Sequence, residues 1–253
     1  MRIFKKLALA AVALCICSLA FAPVYSTSAI QAATDAPAQG SRSFEFGEEM
    51  RGKAFVFYGD SITARLGLYF TDKDYIQLLQ EEFGFYAYNG AVSGATYTIH
   101  SGSSNHVFRQ LDKSQILCRD ADYVSVFLGT NDFGSSRALG SMDDPAGTGT
   151  VYAAIKQTLN DIIELNPDAK IMLLTPLWRG DAGYAGFDSK NPAGYTLADV
   201  RDAVTEVGNA FGCKVVDLTD VITADNAATH LNGDRLHVKP AGYRAIADKI
   251  KNF

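Results

Sequence analysis

Five short apolar runs, at residues 54–58, 86–88, 123–128, 170–175 and 214–218, alternate along this chain with stretches whose apolar residues recur at helical spacing. The first run reads Ala-Phe-Val-Phe-Tyr without a polar break, the pattern of a strand buried on both faces; the run at 86–88 is shorter and weaker. Between the runs, Tyr75, Leu78, Leu79 and Phe83 share one helical face. So do Val151, Ile155, Leu159, Ile162 and Ile163, and then Leu197, Val200, Val204, Val207 and Phe211. Pro240 opens a last helix with Tyr243, Ile246, Ala247 and Ile250 on one side. Strands that alternate with helices pair in parallel and are covered on both faces, so the sequence predicts an α/β fold around a parallel sheet.

Polar motifs follow three of these runs. Gly59-Asp60-Ser61-Ile62 leaves the first strand, residues 89–94 (from Asn89 to Gly94) leave the second, and Gly129-Thr130-Asn131-Asp132 leaves the third. All three therefore sit at carboxyl ends of parallel strands, the edge where open α/β sheets bind ligands. A fourth piece, Asp234-Arg235-Leu236-His237, precedes the last helix.

Together these residues have the composition of a serine nucleophile site. A serine hydroxyl attacks only when a neutral imidazole takes its proton, and the imidazole needs a carboxylate to hold its tautomer and its developing charge. Ser61, His237 and Asp234 supply those types. Residues three apart in a helical turn face each other, which predicts that Asp234 reaches one ring nitrogen while the other points outward. Acyl transfer also needs donors aimed at the nascent oxyanion; the backbone N–H groups of Ser61 and Gly94 and the side-chain amide of Asn131 are the candidates at this edge.

Taken singly the pieces are weaker. Gly-Asp-Ser alone reads as a turn with Ser61 capping a helix, Gly94 as a turn glycine and Asn131 as a strand-end cap. His100, His106 and His230 fall in stretches of loop composition. No H-x-x-x-H or C-x-x-C spacing occurs, so no metal site and no cofactor is expected.

In order and spacing, Gly-Asp-Ser-Ile, Asn89 with Gly94, Gly-Thr-Asn-Asp and Asp-x-x-His resemble the four sequence blocks of the SGNH hydrolases, the GDSL esterase/lipase family, over residues 54–250. The resemblance implies a three-layer α/β/α sandwich with a five-stranded parallel, flavodoxin-like sheet. It also implies Ser61 as nucleophile, Asp234 and His237 as acid and base, and an oxyanion hole of Ser61, Gly94 and Asn131. The α/β-hydrolase elbow G-x-S-x-G is absent, since Thr63 stands where its second glycine would be.

The ends and the charge bound the rest. Arg2, Lys5 and Lys6 precede an apolar run at 7–22 followed by small residues, the order of a cleaved secretory signal peptide over residues 1–33; the run is short for a membrane span of roughly 20 residues. Residues 34–52 read as an exposed lead-in, and 53–253 as one hydrolase domain, secreted or extracytoplasmic, with no stable membrane insertion after cleavage and expected to be a monomer; an uncleaved N-terminus anchoring the chain in the membrane is the alternative. The net charge of −5 is spread among interspersed acids and bases, which gives no reason to expect nucleic acid as a partner. Cys118 and Cys213 remain in the mature chain. They precede the third and fifth strands, two spacings or roughly 9.6 Å apart, beyond the roughly 7 Å a disulfide spans. The slack before the third strand leaves the bridge open.

Three long loops, at 95–106, 133–150 and 177–196, are expected to set specificity. The last offers Trp178, Arg179, Tyr184 and Tyr195 as substrate-binding candidates, either stacking on sugar rings or lining an acyl pocket, with packing of the loop itself as the alternative. The expected function is a secreted esterase acting through an acyl-enzyme on short acyl esters of carbohydrate. Lipase or lysophospholipase activity, acyl transfer, and a non-catalytic glycan-binding module are the alternatives.

Overall fold

The computed structural model describes residues 41–100 and 104–253; the expected signal peptide and the start of the lead-in lie outside them. Among the described residues the strands are β1 (Ala54–Gly59), β2 (Tyr86–Asn89), β3 (Tyr123–Phe127), β4 (Lys170–Leu174) and β5 (Lys214–Val216). The helices are α1 (Tyr75–Phe83), α2 (Val107–Lys113), α3 (Gln115–Arg119), α4 (Thr130–Gly134), α5 (Val151–Leu165), α6 (Leu197–Ala210), α7 (Ala227–His230) and α8 (Pro240–Lys251). The sheet runs β2-β1-β3-β4-β5 and every pairing is parallel. This is the three-layer α/β/α architecture that the family resemblance implies, built on the parallel sheet that the sequence pattern predicts.

Successive strand residues point to opposite faces, and the core divides accordingly. Val56, Tyr58, Val124, Val126, Ile171 and Leu173 face one apolar cluster with α2, α3, α5 and α6. Phe55, Phe57, Tyr123, Phe127, Met172 and Leu174 face the other, with α1 and α8. Local sequence sets the helix ends. Asp74 and Gln77 form a capping box at α1, which Gly84 ends in the left-handed region (φ 72°), and Thr196 with Asp199 does the same at the start of α6. The short helices α2, α3, α4 and α7 carry too few turns for a periodic signal. His106 caps α2, its Nδ1 accepting from the Arg109 N–H, and His230 ends α7 rather than sitting in a loop.

The lead-in is not simply exposed. Phe44 and Phe46 pack against the second cluster, Phe44 lies 4.7 Å from the Tyr123 ring, and Met50 is fully buried. Three apolar residues in a polar segment suffice to close the end of the sheet where β1 and β3 begin. Cys118 and Cys213 are free thiols, both buried.

α6 approaches the sheet closely because Gly208 has no side chain: a β-carbon there would lie 2.5 Å from Val215 Cγ2 and 2.9 Å from Leu173 Cδ1. Gly208→Ala therefore lowers stability by about 1–3 kcal/mol, despite a helix-propensity gain of about 1 kcal/mol. Urea titration of both proteins measures the difference.

Candidate active site

Ser61 follows β1 in a tight turn whose backbone is fixed from several sides. Gln110, buried in α2, clamps Gly59 twice: its Oε1 accepts from the Gly59 N–H at 3.1 Å and its Nε2 donates to the Gly59 carbonyl at 2.9 Å. The Tyr243 hydroxyl of α8 donates to the Ile62 carbonyl at 2.6 Å, and Asn89 Nδ2 donates to the Thr63 carbonyl at 2.7 Å. Asp60 Oδ1 accepts from the Ile62 N–H at 2.9 Å. Held in this way, the Ser61 side chain is left with one exchangeable partner.

That partner is His237. Its Nε2 lies 3.0 Å from Ser61 Oγ, and its Nδ1 lies 2.6 Å from Asp234 Oδ2. The two contacts together require the tautomer with the proton on Nδ1, leaving Nε2 to accept from the serine hydroxyl. The expected helical turn is not what joins acid and base. Asp234 Oδ1 accepts from the N–H groups of Leu236 and His237, both at 3.0 Å, while Arg235 takes a left-handed φ of 58°. This carboxylate-centred turn aims both Asp234 oxygens at His237. Partial burial pushes the Asp234 carboxyl up, but hydrogen bonds from the His237 ring and from the two N–H groups hold it below the usual carboxylate range.

The remaining motifs border the same turn. The Val92 N–H donates to the Gly59 carbonyl at 3.0 Å, which ties the loop after β2 to the nucleophile turn. Gly94 takes a φ of 77°, a conformation that glycine enters without penalty. Asn131 Nδ2 donates to the Ala95 carbonyl at 2.9 Å. Neither the Ser61 nor the Gly94 N–H donates to any described residue, so both remain available to an incoming oxygen. Asp132, fully buried, accepts from the Tyr97 N–H, the Thr98 N–H and the Thr98 hydroxyl at 2.8–3.0 Å, fixing the loop that carries Gly94.

The 177–196 loop corrects the sequence expectation. Trp178, Arg179 and Tyr195 are buried and engaged internally, and Tyr184 is half-buried with its ring 4.7 Å from Phe133. Arg179 pairs with Asp181 at 2.5 Å and donates to the Thr130 carbonyl at 2.6 Å, while the Tyr195 hydroxyl donates to the Asp132 carbonyl at 3.3 Å. Trp178 lies under the Arg235 guanidinium at 5.4 Å, and the Gly180 N–H donates to the Arg235 carbonyl at 3.0 Å. These side chains pack the loop and brace the segment bearing Asp234 and His237, the packing alternative of the sequence reading. Neither Gln110 nor Tyr243 gave a functional signal in the sequence, since Tyr243 reads as an ordinary residue on the apolar face of the last helix and Gln110 lies in a helix too short for a periodic pattern.

Asp60 has 1 % of its surface exposed. Burial pushes its carboxyl from the usual 3.8 up to about 7, against the pull of the Ile62 N–H, His237 and Arg179; Asp132 adds to the rise. Between these two values the unfolded chain loses its proton while the folded one keeps it, so stability falls as pH rises from about 4 to 7. Asp60→Asn keeps the acceptor for Ile62 and removes this loss. The fall in urea midpoint between pH 4.5 and 8 is expected to be smaller in the variant than in the parent.

Comparison with known proteins agrees with this fold. A protein from Lactobacillus plantarum superposes with a TM-score of 0.68 at 27% identity, covering 80% of this chain and 96% of that one. A possible lipase from Chitinophaga pinensis gives 0.60 at 25%, covering 79% and 96%. An acetyl xylan esterase variant from Geobacillus stearothermophilus gives 0.52 at 22%, covering 79% and 95%. No curated protein sequence matches the chain. The family model described as GDSL-like lipase/acylhydrolase matches residues 57–245, and with the fold and four motifs in place the chain belongs to that family.

Proposed function

We propose that this protein hydrolyses carboxylic esters through an acyl-enzyme on Ser61. The observation that carries the reading is the continuous relay from Ser61 Oγ to His237 Nε2 at 3.0 Å and from Nδ1 to Asp234 at 2.6 Å. As Ser61 Oγ attacks the ester carbonyl, its proton passes to Nε2, and Asp234 stabilises the imidazolium. The oxyanion is received by the N–H groups of Ser61 and Gly94 and by Asn131, donors worth roughly 3–4 kcal/mol each. His237 then protonates the departing alcohol. Water, deprotonated by the same imidazole, releases the acid and restores Ser61.

The acyl group in this reading is short and the alcohol a carbohydrate. Support comes from the shared fold with an acetyl xylan esterase and from the polar loops at the sheet edge. A lipase reading draws on the possible lipase of the same fold and on the exposed Leu66, Tyr69 and Phe70. Export to the outside of the cytoplasm is part of the proposal and rests on the basic and apolar order of residues 2–22.

Ser61→Ala is expected to lower kcat on the order of 10⁶-fold and to abolish labelling by a fluorophosphonate; a labelled variant would refute the nucleophile assignment. Asp234→Asn, which removes the anion that fixes the tautomer, loses on the order of 10⁴-fold. Rates on p-nitrophenyl acetate against octanoate, and on acetylated xylan against phospholipid, decide the substrate: faster acetate and xylan turnover is expected, and long-chain preference would favour the lipase reading.

A further inference from the structure

The segment between the nucleophile turn and α1 carries side chains that the triad does not use. Tyr69 is 80% and Phe70 98% exposed, a costly way to display two aromatic rings unless a ligand covers them. Their backbone is braced rather than loose. Arg65, with φ 59°, donates to the Asp72 carbonyl at 2.6 Å and pairs with the buried Asp74 at 3.2 Å, and the Asp72 N–H donates to the Tyr69 carbonyl at 3.1 Å.

The segment also adjoins the triad. A β-carbon on Gly67 would fall 3.7 Å from His237 Cβ and 2.7 Å from the Asn232 amide. Phe70 is three residues further on, so its Cα lies within about 11 Å of that of Gly67. Directly after the rings, Thr71, Asp72 and Lys73 face Arg244 of α8 across an open cleft of about 340 Å³. Arg244 has no ion-pair partner among the described residues. One wall of the cleft is chain leaving Ser61, and the other is chain leaving His237.

Flat aromatic faces beside the polar groups of Thr71, Asp72, Lys73 and Arg244 suit a sugar chain, whose C–H faces stack on rings while its hydroxyls need polar partners. A phospholipid headgroup would also meet Lys73 and Arg244, and vesicle binding is therefore one arm of the test. We infer that Tyr69, Phe70 and the cleft ending at Arg244 form the carbohydrate-binding surface of this enzyme, holding the sugar chain whose acyl group reaches Ser61. This inference rests on the carbohydrate ester reading above and replaces the 177–196 loop as the site of sugar recognition.

The test uses the mature protein and its Tyr69→Ala/Phe70→Ala variant, both changes being at exposed positions. Calorimetric titration with unacetylated xylo-oligosaccharide measures binding without reaction, and kinetics on acetylated xylo-oligosaccharide and on ethyl acetate separate sugar recognition from chemistry. The variant is expected to bind the oligosaccharide on the order of tenfold more weakly and to show a similar rise in KM on its acetylated form, with kcat and ethyl acetate turnover unchanged. Equal oligosaccharide binding by parent and variant would overturn the inference while leaving the esterase reading intact. Phosphatidylcholine vesicles that cosediment with the parent and not with the variant would overturn it in favour of a lipid surface. If the parent cleaves ethyl acetate but neither binds nor deacetylates the oligosaccharide, the carbohydrate reading falls and this inference with it.

Discussion

The contact between Ser61 Oγ and His237 Nε2 joins residues 176 positions apart, and the other features of the site exist to make that contact without local rearrangement. The serine end is set by a parallel sheet that delivers the chain at its carboxyl edge and by Gln110, Asn89 and Tyr243, which hold the turn after it. The histidine end is set by Asp234, which uses one oxygen to shape the turn and the other to hold the ring. Both partners are thus oriented before any ester arrives, and the cost of ordering them is met in folding rather than during turnover.

Buried polar side chains carry much of this organisation. Asp132 and Arg179 could be taken from the sequence for binding groups, yet each is spent on the backbone of a neighbouring loop. Their burial is tolerated because nearly every donor and acceptor they bring is used. Asp60 accepts a single side-chain hydrogen bond, from the Ile62 N–H, and burial pushes its carboxyl toward neutrality, as it does that of Asp132. A site built in this way combines rigidity around the nucleophile with a stability that depends on pH.

The strands, the four long helices and the identity of the site were legible from the chain because each has a local signal. Short, mostly apolar runs mark β1, β3, β4 and β5, helical spacing marks α1, α5, α6 and α8, and the motifs sit at strand ends by their position alone. The short helices were not legible, having too few turns to repeat. Trp178, Arg179 and Tyr195 misled for a related reason: an aromatic or basic residue in a long loop has the same signature whether it faces a ligand or the core, and only packing separates the two.

By itself, then, the sequence determined the fold class and which residue types meet at the sheet edge, since periodicity and motif order are properties of the chain read locally. Tertiary structure decided which turn joins Asp234 to His237, which helix residues clamp Gly59 and Ile62, and that Tyr69 and Phe70 are exposed while Trp178 and Tyr195 of the 177–196 loop are buried. Those outcomes depend on contacts between segments far apart in the chain, where burial and hydrogen-bond partners are fixed only once the layers have packed.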